Sequence, residues 1–232
     1  MRRRERRPEI MDDPALEPER HRRALHGLAR VNRWSDSAGI LWPALREAAR
    51  RNGRRALRVL DIATGGGDVP IRLWRRARAS GVPFAIDGCD VSSRAVEHAR
   101  ESADRAAAEV GLFVHDALAG DLPTGYDVLI SSLFLHHLDD GSATTLLRAM
   151  AAAASRMILI NDLRRSPAGL ALAYLGTRLL LTSDVVRSDG VLSVRAAFTL
   201  REVREVTIRA GLRRAKINRR APCRFLLEWR RP

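Results

Sequence analysis

The run Val59-Leu60-Asp61-Ile62-Ala63-Thr64-Gly65-Gly66-Gly67-Asp68 gathers residue types that could hold a charged small molecule. An apolar stretch ends at Ile62, and three glycines follow before a helical pattern begins. Glycines let the backbone turn sharply and approach a ligand without side-chain clash. A dinucleotide-binding turn uses the same device, but it wants another glycine three residues after the second. Counted from Gly67, that position is Pro70. Asp61 stands at the strand end ahead of the glycines. A carboxylate there repels a pyrophosphate and suits a cation.

Two more acids close the next two strands, in Cys89-Asp90-Val91-Ser92 and His115-Asp116-Ala117. Asp90 can accept hydrogen bonds from both hydroxyls of a ribose. Asp116 can meet an adenine amino group while Val91 packs on the ring. Each acid taken singly also fits a helix cap or a turn. Three carboxylates buried together without partners would be costly. A ligand offering an ammonium, a diol and an exocyclic amine removes that cost, and S-adenosylmethionine (SAM), which has no phosphate, offers all three. The residues expected to bind it are Asp61, Ala63, Thr64, Gly65, Gly67, Asp90, Val91, Asp116, Ala117 and Ser131.

These segments resemble the class I SAM-dependent methyltransferases, and within them the ubiquinone/menaquinone-biosynthesis methyltransferases. Asp61 to Asp68 is similar to that group's first motif, with alanine at 63 for the first glycine and aspartate after the last. Gly88 to Ser92 resembles the second motif. Asp116-Ala117 followed by Leu122-Pro123 resembles the third, and Tyr126-Asp127-Val128-Leu129 the fourth strand. Val31-Asn32-Arg33-Trp34-Ser35, with Gly39 and Trp42, is similar more loosely to a substrate-side loop. The clear similarity covers about residues 56 to 162; residues 163 to 200 follow no pattern of that group. The resemblance implies a seven-stranded sheet whose last hairpin is antiparallel.

SAM carries its methyl group on a sulfonium, so the protein must hold a nucleophile in line with the leaving sulfur. An oxygen or nitrogen nucleophile also needs a base for its proton. The candidates follow the fourth strand, in Ser131 to Asp140, where His136 or His137 could take a phenol proton near neutral pH. Paired histidines at this position fit equally well as packing or helix-start residues. Leu133, Phe134 and Leu135 read as wall or core.

The elements that must position these residues alternate from Ala56 onward. Strands are expected at Leu57 to Ile62, Phe84 to Val91, Leu112 to His115, Tyr126 to Ser131 and Met157 to Asn161. Helices are expected at Val69 to Ala79, from Ser92 or Ser93 to about Ala108, and from about Ser142 to Ala154. Such alternation argues for a doubly wound α/β fold with a mostly parallel sheet. Right-handed crossovers put every loop after a strand on one edge, where ligands bind. A helix at Leu200 to Ala210 precedes strands at Leu212 to Asn218 and Arg224 to Trp229, whose short connection makes them antiparallel.

Residues 1–54 read as a tail and a helical substrate-side extension, with helices at Glu19 to Ala29 and Ile40 to Arg51, an appendage to a SAM-binding domain at 55–232. About 163–199 reads as a lid insertion. Its apolar stretch, Leu170 to Leu181, is taken as helical and is followed by a polar loop at 183–190. Together they suit a hydrophobic, hydroxylated or aromatic acceptor. Arg187 and Arg195 are weighed as ligands for an acidic group on it, against a reading as two surface arginines.

The 232 residues carry 41 basic and 27 acidic side chains, a formal charge of +14, with Lys216 the single lysine. The arginines are spread along the chain rather than gathered in a stripe, which argues against a nucleic-acid partner. The alternative of an RNA-directed methyltransferase or RNA-binding protein meets a second objection. Base-nitrogen methylation usually uses an Asn/Asp-Pro-Pro-aromatic motif where Ser131-Ser132-Leu133-Phe134 stands. A protein that binds SAM without transferring its methyl group is a third option. Cys89 and Cys223 form no paired motif, so neither a disulfide framework nor a metal site is expected. Leu170 to Leu181, broken by Arg178, is too short to span a bilayer. The expectation is a cytoplasmic enzyme of secondary metabolism that O-methylates a phenol, quinol or polyketide-like ring; a homodimer is compatible with it.

Overall fold

The computed structural model describes residues 4–7, 17, 19–20, 22–23, 27, 36–180 and 184–232, with the side chains of 176–188 outside that description. Helix α1 spans Ser37–Arg51. Then come β1 (Leu57–Ile62), α2 (Asp68–Ala79), β2 (Phe84–Asp90), α3 (Ser93–Arg105), β3 (Val110–Val114) and β4 (Val128–Ser132). A 3-10 turn at Leu135–His137 leads into α4 (Asp140–Ala153) and β5 (Met157–Leu163). Two helices, α5 (Pro167–Leu180) and α6 (Asp184–Ala196), precede α7 (Leu200–Arg209), β6 (Lys216–Arg220) and β7 (Arg224–Arg230).

The strands form one seven-stranded sheet in the order β3-β2-β1-β4-β5-β7-β6. The first five pair in parallel, and β7 runs antiparallel to both β5 and β6. β1 lies between β2 and β4, so the order reverses at its C-terminal end, where an open α/β sheet forms its ligand crevice.

The central strands bury both faces, as a parallel sheet covered on two sides requires. Leu57, Val59, Val128, Ile130 and Leu159 point to one face and pack with Leu41 and Leu45 of α1 and Leu73 of α2. Leu60, Ile62, Leu129, Ile158 and Ile160 point to the other, against Leu146 and Met150 of α4 and Val203 and Val206 of α7. α3 closes over β3 through Val96, Ala99 and Leu112.

Several expectations need correction. The helix expected at Ile40 to Arg51 is not an appendage: α1 supplies Leu41, Leu45 and Trp42 to the core. Asp36 caps it and also accepts Arg72 and Arg76 of α2 at 2.8 and 2.9 Å. The polar loop expected at 183–190 lies mostly within α6, where Asp184 and Ser188 do not interrupt a helix stabilised by packing on α5. The strand expected from Leu212 starts only at Lys216, because Leu212 and Ala215 turn into the core beneath α7. The helix expected at Glu19 to Ala29 and the Val31 to Ser35 loop lie largely or wholly outside the described residues. No helix among the described residues is long and apolar enough to cross a membrane.

Candidate active site

The glycine turn is folded by backbone conformations that side chains resist. Gly65 and Gly67 have φ of 55° and 76°, and Ala63 adopts a left-handed φ of 55° despite its Cβ. A Cβ on Gly67 would lie 2.9 Å from Ala99 Cβ, so glycine lets α2 meet α3. A Cβ on Gly65 would project into open space, with no atom within 4 Å. Thr64 seats on Gly88, where a Cβ would fall 2.8 Å from its hydroxyl oxygen.

Asp90 ties this turn to the next strand. One carboxylate oxygen accepts Gly65 N–H at 2.8 Å and the other accepts Ser92 N–H at 3.0 Å. A carboxylate offers about four acceptor positions, so both oxygens retain capacity for a diol. Val91, beside it, is 65% exposed, an apolar surface at the height of the turn. Asp116 is exposed at the end of β3, with one oxygen accepting Leu118 N–H at 2.8 Å as in an Asx turn, and half-buried Ala117 follows. Ser131 is buried and donates its hydroxyl to Ile62 C=O at 3.0 Å, which joins β4 to β1.

Asp61 is 1% exposed. One of its oxygens accepts the Thr64 hydroxyl at 2.8 Å; the other, Oδ1, is buried with no hydrogen-bond partner. Burial pushes its pKa up to about 8; the Thr64 hydrogen bond opposes this, and the charges of Asp68 and Asp90 add to it. A buried acid so destabilised as an anion is a socket for a cation. The residues present therefore fit SAM: Asp61 for its ammonium, Asp90 for its ribose, and the open side of Gly65 for close approach.

The two histidines sit one strand over. His136 is 3% exposed, and its Nδ1 lies 2.7 Å from Asp162 Oδ1. Its backbone N–H donates to Asp162 Oδ2 at 3.1 Å. The His137 ring tilts against His136 at 4.3 Å and stacks with Phe134 at 6.3 Å, centroid to centroid. Leu133, which starts this loop, has a left-handed φ of 57°. A bulky residue stays in that region only when its surroundings hold it there.

Three residues around this loop were not legible in the sequence. Asp162 ends β5 as Asp61 and Asp90 end their strands, and the same strand-end rule would have flagged it had β5 not been stopped at Asn161. Arg224, 1% exposed, donates to Ser37 Oγ at 2.6 Å near Asp162 and Asp68; burial lowers its pKa to about 10 against the pull of those two carboxylates. Arg4 donates to the carbonyls of His136, Leu138 and Ala196 at 3.2, 2.8 and 2.8 Å. Nothing local distinguishes either arginine from the chain's many others. Arg195 pairs with Glu5 at 3.4 Å, and the Arg187 side chain lies outside the described residues.

Residues 59–156 match a family described as a methyltransferase domain. That match assigns a methyltransferase domain to residues 59–156, and the seven-stranded sheet has the Rossmann-like fold of the SAM-dependent methyltransferases, consistent with SAM as the cofactor. Among solved structures, the chain is similar to the magnesium protoporphyrin IX methyltransferase of Synechocystis with bound SAM. The identity is 17% and the TM-score 0.61, over 95% of this chain and 100% of that one. A plantazolicin methyltransferase aligns at 15% identity and TM-score 0.64, over 92% and 98% of the two chains. A family 2 O-methyltransferase of Planctomyces limnophilus, in complex with apigenin, aligns at 17% and 0.56, over 85% and 62%. No protein of curated function matches the sequence.

Proposed function

We propose that this protein transfers the SAM methyl group to a hydroxyl oxygen of a small hydrophobic molecule, a phenol, quinol or polyketide-like ring. The observation that carries the reading is His136, an imidazole held by a buried carboxylate at the sheet edge that also carries Asp61 and Asp90. When bound, SAM supplies a methyl group already activated on sulfonium. The protein's own tasks are to hold the cofactor, orient the hydroxyl, exclude water and receive a proton.

For the first task, Asp61 takes the ammonium and Asp90 the ribose diol. Val91 packs on the adenine, Asp116 and Ala117 border it, and Ala63, Thr64, Gly65 and Gly67 shape the turn beneath, with Ser131 fixing β4 alongside. For the others, α6 packs on the 3-10 turn that carries His136 and His137, so 163–199 acts as the lid over the acceptor. The ring chemistry agrees with the flavonoid in the Planctomyces enzyme and with a structural neighbour described as an O-methyltransferase of neocarzinostatin biosynthesis. A quinol would fit the motif resemblance of residues 56 to 162. The setting we infer is cytoplasmic secondary metabolism with a small-molecule partner.

The test is methyl transfer from labelled SAM to a panel of phenols and quinols, with SAM binding measured by calorimetry. Turnover of at least one phenol or quinol is expected. Losing the Asp90 carboxylate in Asp90→Ala should weaken SAM binding by roughly 100-fold, as loss of charge-assisted hydrogen bonds to two hydroxyls implies. Tight SAM binding with no turnover on any hydroxylated ring would defeat the proposal, and unchanged affinity in Asp90→Ala would move the ribose elsewhere.

A further inference from the structure

We propose that the sheet edge opposite the cofactor turn carries a second ligand site, an arginine-lined cleft that takes the phosphoryl groups of a small anion. This goes beyond methyl transfer and does not depend on it.

The cleft has a volume of about 260 Å³ and is lined by Arg51, Arg156, Arg230 and Arg231 together with Ala48 and Met157. It lies where α1 ends, β5 begins and β7 ends. The fold thus gathers charges that the sequence keeps far apart. Strand pairing does this: β1, β4 and β5 start at one edge, and antiparallel β7 ends there, with Arg230 opposite Met157.

The carboxylates around the cleft have several claims on them. Glu47 lies 2.6 Å from Arg51 and 3.4 Å from Arg230, which also meets Glu228 at 2.6 Å. Asp127 accepts Arg58 N–H at 3.0 Å, pairs with Arg55 and lies 3.6 Å from Arg156. Five arginines, with Arg55 counted, share the three carboxylates Glu47, Asp127 and Glu228. Pro232 also lines the cleft, and an α-carboxylate on it still leaves the sum positive. Among the described residues, Arg51 and Arg156 are paired through one nitrogen each, Nη2 and Nε. A guanidinium carries five N–H donors, so both keep donors for a further acceptor.

Arg231 is held in place beforehand. Its guanidinium donates to the carbonyls of Ala151, Ala152 and Ala154 at distances between 2.6 and 3.1 Å, and its backbone N–H to Arg156 C=O at 2.7 Å. Its charge also offsets the negative end of α4, which would otherwise repel an anion.

Size and chemistry narrow the ligand. A volume of about 260 Å³ is several times the ~30 Å³ share of one water and just under the roughly 300–1,000 Å³ of drug-sized pockets. That suits one or two phosphoryl groups and little else. Guanidinium forks match phosphate oxygens in pairs, and Ala48 and Met157 supply an apolar wall. A nucleic-acid strand instead needs a groove that tracks its backbone over several nucleotides. The cleft is divided from the cofactor turn by seven-residue strands, about 23 Å in length. A ligand bound in it does not touch SAM.

The test is a calorimetric titration of inorganic pyrophosphate into the full chain saturated with SAM. We expect one site, weakened by salt, with the same affinity whether or not SAM is present. Arg156→Gln and Arg51→Gln should each weaken it roughly 10-fold or more, as loss of a charge-assisted hydrogen bond implies. Arg201→Gln removes the same charge from the exposed pair with Glu205 on α7 and should change nothing. Should Arg156→Gln disturb folding through Asp127, Arg51→Gln still decides, because that side chain is 68% exposed. A nucleoside diphosphate in place of pyrophosphate separates the two sources of the anion. Tighter binding than pyrophosphate assigns the cleft to a phosphate ester, and weaker binding to a free inorganic anion.

Three results would overturn the inference. Pyrophosphate that fails to bind, or that SAM displaces, leaves the cleft without a ligand. Equal weakening by Arg201→Gln reduces the effect to net charge. A short single-stranded RNA that binds where pyrophosphate does not would make this edge a nucleic-acid surface instead.

Discussion

At the scale of single residues, Asp61 illustrates how the site is prepared for its ligand. Its pKa is raised from 3.8 to about 8 by burial, so the folded protein binds more protons than the unfolded chain between those values. The stability this provides is fully present below about pH 4 and is lost as pH rises through about 8. The unliganded protein should therefore lose stability across that window, and Asp61→Asn should flatten the slope in thermal melts run from about pH 4 to 9. An arriving ammonium displaces the proton. Calorimetry in buffers of different ionisation enthalpy should show proton release on SAM binding near pH 7 and almost none near pH 9, above the raised pKa of about 8. A proton count independent of pH would place the ammonium against another group. Asp61 itself was readable in the sequence, because an acid between an apolar strand and a glycine turn adds nothing to packing there. Its unpartnered oxygen was not, since that depends on what surrounds it.

At the scale of elements, the loop from β4 to α4 is held from outside by a segment remote in sequence. Arg4 reaches three carbonyls and Asp140, and its guanidinium lies 3.5 Å from the centre of the Phe198 ring. Arg6 adds a bond to the His137 carbonyl at 3.1 Å, and Glu5 N–H pairs with Arg195 C=O at 3.2 Å. Residues 4–7 thus strap α6 to the turn of His136. Arg4→Ala should leave SAM affinity unchanged and lower stability by about 1–3 kcal/mol, the cost of leaving buried carbonyls unsatisfied. Hydrogen exchange should quicken at 135–138 and not in β1 or β2. Uniform protection after the substitution would show that the strap carries no load. The strands and helices were legible from periodicity, with β1 matching its expected bounds. The departures fell where local preference gave way to packing, as in α6, or where a chain turned into the core, as before β6.

At the scale of the molecule, the sheet separates a ligand edge from a structural edge. Asp127 precedes β4 at the opposite end of the strands. It is buried, accepts Arg58 N–H at 3.0 Å, pairs with Arg55, and lies 3.6 Å from Arg156 Nε. The length of a five-residue strand, about 17 Å, divides it from the cofactor turn. Asp127→Ala should cost about 1–3 kcal/mol of stability, because it leaves the part-buried Arg58 N–H without its acceptor and unpairs two arginines. SAM affinity, measured where the variant is folded, should not change; a weakened affinity would mean that the two edges are coupled. The +14 charge is likewise a property of the whole. Many of the arginines are engaged in pairs at helix surfaces or on carbonyls, consistent with their even spread along the sequence.

The amino-acid sequence alone determined the alternation of strands and helices, the doubly wound sheet, and the acids at the ends of β1, β2 and β3. These follow from short-range rules: the period of apolar residues, the conformational freedom of glycine, and the ligand edge that right-handed crossovers create. Tertiary structure decided which distant groups meet at that edge. His136 and Asp162 are 26 residues apart, Arg4 and His136 are 132, and Ser37 and Arg224 are 187. No local pattern encodes such pairs. They arise because the strand order sets the end of β5 beside the loop after β4, and burial there leaves each charge few partners other than the one it found.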